Sequence, residues 1–138
     1  MFSHFIANIK HKNKVMSQKT ILIVEDEMGM RDSLREVLEN GGHKIVVAED
    51  GEIASQIIKK EVFDLVLLDI ILPKKDGFEV LKELKSDEKT KETPVVLTTN
   101  LSDPKDIQKA LALGATTYLV KSNYSLADIV TKVDEILG

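Results

Sequence analysis

The sequence predicts an α/β domain, with a parallel β-sheet that carries helices on both faces. From Thr20 onward, five short apolar segments rich in Ile, Val and Leu alternate with amphipathic helical segments, which is typical of that architecture. The apolar runs are nearly continuous, and this predicts strands that are buried on both faces. The predicted strands are 20–25, 43–47, 64–69, 94–99 and 116–120.

Capping signals at the ends of the helical segments agree with this alternation. The Asn-Gly-Gly run at 40–42 predicts the end of the first helix. Asp103 before Pro104 has the form of an N-cap followed by a first helical residue, and Ser125 with Asp128 predicts a capping box. The last helix shows the spacing of a single buried face at Leu126, Ile129, Val130, Val133, Ile136 and Leu137.

Length and composition indicate one globular domain. The 138 residues are 43% hydrophobic and 30% charged, which suits a folded chain with a core of its own. This composition makes a folded cytosolic-type domain the default, so we expect a cytoplasmic protein. With no cysteine, disulfides, thiolate metal sites and cysteine nucleophiles are excluded. No apolar run approaches the roughly 20 residues that a membrane span needs.

The charge is distributed unevenly along the chain. The net charge is −4, but Lys10, Lys12 and Lys14 give the first 15 residues +3, so the remainder carries −7. An acidic body repels the phosphates of DNA, and we therefore expect no direct nucleic-acid binding.

Residues 1–18 are interpreted as an N-terminal extension, and 19–138 as the domain. Phe2, Phe5, Ile6 and Ile9 have the spacing of a short basic amphipathic helix that could touch a membrane surface or a partner. The favoured interpretation is a disordered tail or a start codon assigned too far upstream. Because the last predicted helix runs to the end of the sequence, we expect the domain to act alone.

Chemically reactive side chains follow the predicted strands. Glu25 and Asp26 follow the first strand, Asp69 ends the third, Thr99 ends the fourth and Lys121 follows the fifth. Ligands of open parallel sheets bind outside the carboxyl ends of the strands, so we expect these groups to meet. Taken singly, each residue also fits a structural role as a cap, a turn former or a solvated charge. The functional interpretation depends on their convergence.

A cluster of this kind favours phosphoryl chemistry with a bound metal. Two carboxylates about 4 Å apart repel by about 4 kcal/mol at an effective dielectric constant of 20, and Lys121 supplies one positive charge. Mg²⁺ prefers carboxylate and carbonyl oxygens and would offset the rest. Asp69 is then a candidate nucleophile for an aspartyl phosphate, with Thr99 and Lys121 binding phosphoryl oxygens.

The sequence resembles the receiver domain of two-component response regulators over 19–138. The segments that carry the resemblance are 21–27 (ILIVEDE), 67–77 (LLDIILPKKDG), 94–99 (PVVLTT) and 114–121 (GATTYLVK). The resemblance implies a flavodoxin-like, doubly wound fold with a five-stranded parallel sheet in the order 2-1-3-4-5 and five helices.

The resemblance also implies the residues of a magnesium site. Asp69 would be the phosphoacceptor, Asp26 a direct Mg²⁺ ligand and Glu25 a ligand acting through water. Ile71 would contribute its backbone carbonyl.

The residues that respond to phosphorylation are implied in the same way. Thr99 and Lys121 would contact the phosphoryl group, and Thr99 and Tyr118 would act as the switch pair. Two positions depart from the family pattern, because Ser122 stands where proline usually follows the lysine and Asn100 stands where a small residue is usual.

The function implied is a signalling switch and not a metabolic enzyme. A sensor histidine kinase or a phosphotransfer protein would phosphorylate Asp69, and the phosphorylated domain would act on an unidentified protein target or form a homodimer. Phosphorylation by small phosphodonors and autodephosphorylation are also implied.

Three alternatives remain. Ser122 and Asn100 would suit an interaction module that works without phosphorylation. A phosphohydrolase usually needs an acid two residues after the nucleophile, where this chain has Ile71. A flavin-binding electron carrier needs a phosphate loop after the first strand, where the acidic run at 25–27 would repel phosphate.

Overall fold

Five parallel strands form one sheet in the computed structural model, which describes residues 18–138. The strands are β1 (Thr20–Val24), β2 (Lys44–Ala48), β3 (Leu65–Leu68), β4 (Val95–Thr99) and β5 (Thr117–Val120). Their order is β2-β1-β3-β4-β5, which confirms the predicted fold. The predicted N-terminal extension lies outside the described residues except for Gln18.

Five α-helices connect and follow the strands. They are α1 (Met28–Asn40), α2 (Gly51–Lys60), α3 (Gly77–Ser86), α4 (Pro104–Ala112) and α5 (Leu126–Leu137), and a 3₁₀ turn spans Lys121–Asn123. The predicted caps are present: the Asp103 side chain accepts a hydrogen bond from the Lys105 amide, and Ser125 and Asp128 form a reciprocal capping box.

The alternation of side chains along the strands divides the core into two layers. Leu22 and Val24 of β1 face a cluster that includes α2 and α3, whereas Ile21 and Ile23 face α1 and α5. The predicted buried face of α5 lies in the second layer, where Ile129 and Val133 are fully buried. Burial of both sheet faces holds the carboxyl ends of the strands in a fixed arrangement.

The prediction that every strand is buried on both faces is wrong for the two edge strands. The central strands β3 and β4 are buried throughout, and β1 is buried from Ile21 onward. In contrast, β2 and β5 are mostly half-buried, because each has a neighbouring strand on one side alone. The second strand also begins and ends one residue later than predicted.

Gly77 fixes the start of α3 against the end of β3. Its amide donates to the Ile70 carbonyl at 2.8 Å, and the Asp76 side chain caps the helix by accepting from the Glu79 amide at 3.0 Å. A Cβ atom at position 77 would lie 2.2 Å from the Asp69 carbonyl oxygen, far inside van der Waals contact. Glycine therefore allows α3 to begin directly beside the backbone of Asp69.

We expect Gly77→Ala to lower the free energy of unfolding by about 2 kcal/mol, because the added methyl must displace the backbone of Asp69 and Ile70. Gly29→Ala is the matched control, since Gly29 is an exposed helical residue whose added Cβ meets only the flexible end of Glu27. The control should be neutral or stabilising by up to about 1 kcal/mol. Urea denaturation measures both, and equal effects would contradict the packing argument.

Candidate functional site

The pairing of β1 with β3 brings two carboxylates together. Val24 lies opposite Leu68 in the register, and the Asp69 amide donates to the Val24 carbonyl at 3.0 Å. The residues that follow the two strands, Glu25 and Asp69, are both buried. The adjacent Asp26 is exposed, and carboxylate oxygens of the three acids lie within 4.8 Å of one another.

Lys121 reaches this acidic cluster from the end of β5. Its Nζ lies 2.5 Å from Glu25 Oε1 and 2.8 Å from Asp69 Oδ2. Burial alone would lower the pKa of Lys121, but hydrogen bonds and charge interactions with the two carboxylates outweigh it, and the pKa is raised. The lysine therefore stays charged and bridges the two buried acids.

The pocket retains more negative charge than Lys121 balances. Burial raises the pKa of Glu25, and the charge of Asp69 raises it further. The hydrogen bonds from Lys121 and the Glu27 amide, together with the charge of Lys121, only partly oppose this rise in the pKa. Three carboxylates cluster here and one ammonium group contacts two of them, which leaves an unfavourable excess of negative charge. An oxygen-only donor set of this charge fits a hard divalent cation such as Mg²⁺.

The loop after Asp69 carries the predicted carbonyl ligand. The Ile71 amide donates to Asp69 Oδ1 at 3.2 Å, which orients the carboxylate, and the Ile71 side chain is 56% exposed. The role of the Ile71 carbonyl stays a prediction.

Thr99 and Tyr118 share a contact with Leu101. Thr99 is fully buried, and its Oγ1 accepts from the Leu101 amide at 3.4 Å. The half-buried Tyr118 donates its hydroxyl to the Leu101 carbonyl at 2.8 Å. The structure thus brings Glu25, Asp26, Asp69 and Lys121 into one cluster, whereas the predicted switch pair meets at the backbone of Leu101.

Two contributors to the site were missed by sequence reasoning. Leu101 connects Thr99 to Tyr118 through its backbone, because its amide donates to Thr99 Oγ1 and its carbonyl accepts from the Tyr118 hydroxyl. Arg31 donates from Nη1 to the carbonyls of Glu25 at 3.0 Å and Asp26 at 3.3 Å, and so holds the acidic loop. Leu101 contributes main-chain atoms, and the side chain of Arg31 binds main-chain carbonyls, so neither contact has a signature in the residue types of both partners.

The two departures from the family pattern lie beside this cluster and are exposed. Ser122 and Asn100 both face solvent. Lys121 begins the 3₁₀ turn Lys121–Asn123 and reaches both carboxylates with Ser122 after it, and every peptide bond in residues 18–138 is trans.

Comparison with known families identifies the domain. The model of the response regulator receiver domain family matches residues 21–134. The chain therefore belongs to that family, as the resemblance had implied.

Individual relatives agree with this assignment. The chain is 36% identical over 122 residues to the probable transcriptional regulator ycf27 of Porphyridium aerugineum, covering 88% of this chain and 49% of that protein. It is 37% identical over 117 residues to the transcriptional regulatory protein CpxR of Escherichia coli K12, covering 85% and 48%. The chain thus spans about half the length of these regulators.

Solved structures show the same fold. The chemotaxis response regulator CheY4 of Vibrio cholerae superimposes with a TM-score of 0.80 at 27% identity, covering 86% of this chain and 98% of that one. The Mn²⁺-bound form of the response regulator Rcp1 gives a TM-score of 0.75 at 34% identity, covering 86% and 91%. None of the helices within residues 18–138 has the length and apolarity to span a bilayer.

The phenol of Tyr118 should resist ionisation. Its burial, together with the charges of Asp106 and Asp69, raises the pKa to about 12. In a Tyr124→Phe chain, Tyr118 is the one remaining tyrosine, so ultraviolet absorbance reports its titration alone. Because the folded-state pKa exceeds the unfolded value of about 10, its neutral form stabilises the fold below pH 10, and this contribution is lost as the pH rises through 12. A midpoint near 10, in a chain that circular dichroism shows to be folded, would contradict the assigned burial.

Proposed function

We propose that this receiver domain is a Mg²⁺-dependent phosphoacceptor switch in which Asp69 takes a phosphoryl group from a sensor histidine kinase or a phosphotransfer protein. The observation that carries the proposal is the buried Asp69 carboxylate, clustered with Glu25 and Asp26 and held by Lys121 Nζ at 2.8 Å. Membership of the receiver family supports it independently.

Three side chains have separate roles in the proposed reaction. Asp69 attacks the phosphorus of phosphohistidine, the N–P bond breaks, and the imidazole leaves as the acyl phosphate forms. Lys121 pairs with the charge on the transferred group, and Thr99 donates its hydroxyl to a phosphoryl oxygen. Asp69 starts from a fixed orientation because Lys121 contacts one of its oxygens and the Ile71 amide contacts the other.

Four groups would hold the cation. Asp26 and Asp69 would bind directly, Glu25 through water, and Ile71 through its carbonyl. When bound, Mg²⁺ supplies positive charge that offsets the carboxylates and the incoming phosphoryl group. The Mn²⁺-bound form of the response regulator Rcp1 shows that a relative of similar fold binds a divalent cation, which supports the proposal of one here.

The conformational response would pass through Leu101. When Thr99 turns its hydroxyl towards the phosphoryl group, its contact with the Leu101 amide is lost and the carbonyl that holds Tyr118 is free to move. Tyr118 then repacks and changes the surface formed by α4 and β5. A shift from 1:99 to 99:1 requires about 5.5 kcal/mol of differential interaction, within reach of a few charge-assisted hydrogen bonds.

We further propose that the domain works alone, acts on a protein target and is able to form a homodimer when phosphorylated. The match to nearly the whole CheY4 chain supports a stand-alone receiver. The rival function is the receiver part of a longer transcriptional regulator, which the half-length matches to ycf27 and CpxR favour. If phosphorylation makes the domain bind a protein target, the stand-alone function is supported. If the domain instead controls a promoter through a DNA-binding domain attached to it, the transcriptional-regulator function is supported.

Asp69→Asn should abolish phosphorylation, since an amide cannot form the acyl phosphate. Incubation with acetyl phosphate and Mg²⁺, followed by intact-mass spectrometry, should detect hydroxylamine-sensitive phosphate on the unsubstituted chain and none on the variant. Glu27→Gln, which changes an exposed acid beside the pocket, is the control and should be labelled normally. Labelling of Asp69→Asn would overturn the proposal.

Thr99→Val should block the conformational response while keeping the shape of the side chain. Beryllofluoride with Mg²⁺ imitates the phosphoryl group, and amide NMR shifts at Leu101 and Tyr118 report the response. Thr98→Val is the control, because Thr98 is equally buried on the same strand. The control should respond as the unsubstituted chain does, and a normal response in Thr99→Val would contradict the switch role.

A further inference from the structure

We propose that Lys75 is a positioning residue of the phosphoacceptor site: held by Glu83 and Ser55, it fixes the loop that follows Asp69 and so sets the affinity of the site for Mg²⁺. The inference rests on the proposed function. It assigns a role to a cluster that touches none of the three acids.

Lys75 joins the loop to two helices. Its Nζ lies 2.5 Å from Glu83 Oε1 on α3 and 2.9 Å from Ser55 Oγ on α2. Ser55 is buried and donates its hydroxyl to the other oxygen of Glu83. The three polar groups therefore hydrogen-bond one another between the two helices. Hydrogen bonds that involve a charged group are stronger than those between neutral groups.

The loop needs such an anchor because its backbone is strained. Lys74 has a φ of +68°, in the left-handed region that favours glycine. Lys74 is the central residue of a tight turn, in which the Lys75 amide donates to the Pro73 carbonyl at 2.7 Å. A Cβ atom on Gly51 would lie 1.8 Å from the Lys75 carbonyl oxygen, so the start of α2 presses directly on this turn. Strained turns persist where the surrounding contacts hold them.

The same loop carries Ile71, whose carbonyl is a proposed ligand of the cation. It begins directly after Asp69, and the Ile71 amide orients the Asp69 carboxylate at 3.2 Å. It closes where the Gly77 amide donates to the Ile70 carbonyl at 2.8 Å. If the loop becomes free to move at Lys75, the Ile71 carbonyl and the Asp69 carboxylate lose their fixed distance and orientation relative to each other.

Loss of the Lys75 charge and loss of its anchoring contacts should change the Mg²⁺ affinity in opposite directions, so an experiment can separate the two. Removing a positive charge near an acidic pocket should tighten Mg²⁺ binding or leave it unchanged. Loss of an anchor should weaken it, because supporting contacts of metal ligands commonly contribute tenfold or more to affinity. Lys74 is the matched control, since it is the adjacent lysine, 63% exposed and 3.7 Å from Asp50.

The experiment titrates Mg²⁺ into the full chain by calorimetry at constant ionic strength. Lys75→Met should weaken Mg²⁺ binding about tenfold, and the charge-neutral Ser55→Ala should weaken it in the same direction. Lys75→Arg should restore most of the affinity, and Lys74→Met should stay within twofold of the unsubstituted chain. Without Mg²⁺, amide exchange at Gly77 should be faster in Lys75→Met than in Lys74→Met.

The Mg²⁺ titrations test the positioning role of Lys75 separately from the proposed function. If Lys75→Met and Ser55→Ala both bind Mg²⁺ as tightly as the unsubstituted chain, the positioning role is overturned and the proposed function stands. An equal loss of Mg²⁺ affinity in Lys74→Met also overturns the positioning role, because the loss would then come from removing a positive charge from the loop. If the unsubstituted chain binds no Mg²⁺, the proposed function itself fails. Should Lys75→Met not fold, Ser55→Ala decides the matter.

Discussion

The excess of negative charge in the acidic pocket is the constraint on which the rest of the site depends. Parallel pairing of β1 and β3 places Glu25 and Asp69 side by side in a buried position, and Asp26 adds a third carboxylate at the rim. One ammonium group, on Lys121, contacts both buried acids. Excess negative charge of this kind favours a further cation, and in the proposed function that cation would make the buried carboxylate available to a phosphoryl group.

The surrounding fold keeps these like charges from moving apart. Arg31 holds the carbonyls of the acidic loop, and Gly77 lets α3 begin against the backbone of Asp69. On the other side of that loop, Lys75 ties the turn to α2 and α3. In the proposed function, carboxylates held in this way need little reorganisation when a cation or a phosphoryl group adds charge.

Much of the architecture could be predicted from local sequence. Apolar runs and helical periodicity predict the α/β alternation, and capping residues predict where α4 and α5 begin. The carboxyl-edge rule then places the acids and Lys121 at one end of the sheet. Sequence could not predict the contacts of Leu101 and Arg31, because each has a main-chain atom as one of its partners. Nor could it predict that Ser55 and Glu83, distant in sequence, would both contact Lys75. The partial exposure of β2 and β5 follows from strand order, which apolar composition alone does not reveal.

The most direct test of the electrostatic account is the free energy of unfolding as a function of Mg²⁺ concentration, measured by urea denaturation at constant ionic strength. The account predicts that stability rises with Mg²⁺ and gains about 2.7 kcal/mol at one hundred times the dissociation constant. Stability that does not change with Mg²⁺ would contradict it, because the crowded carboxylates would then need no further positive charge.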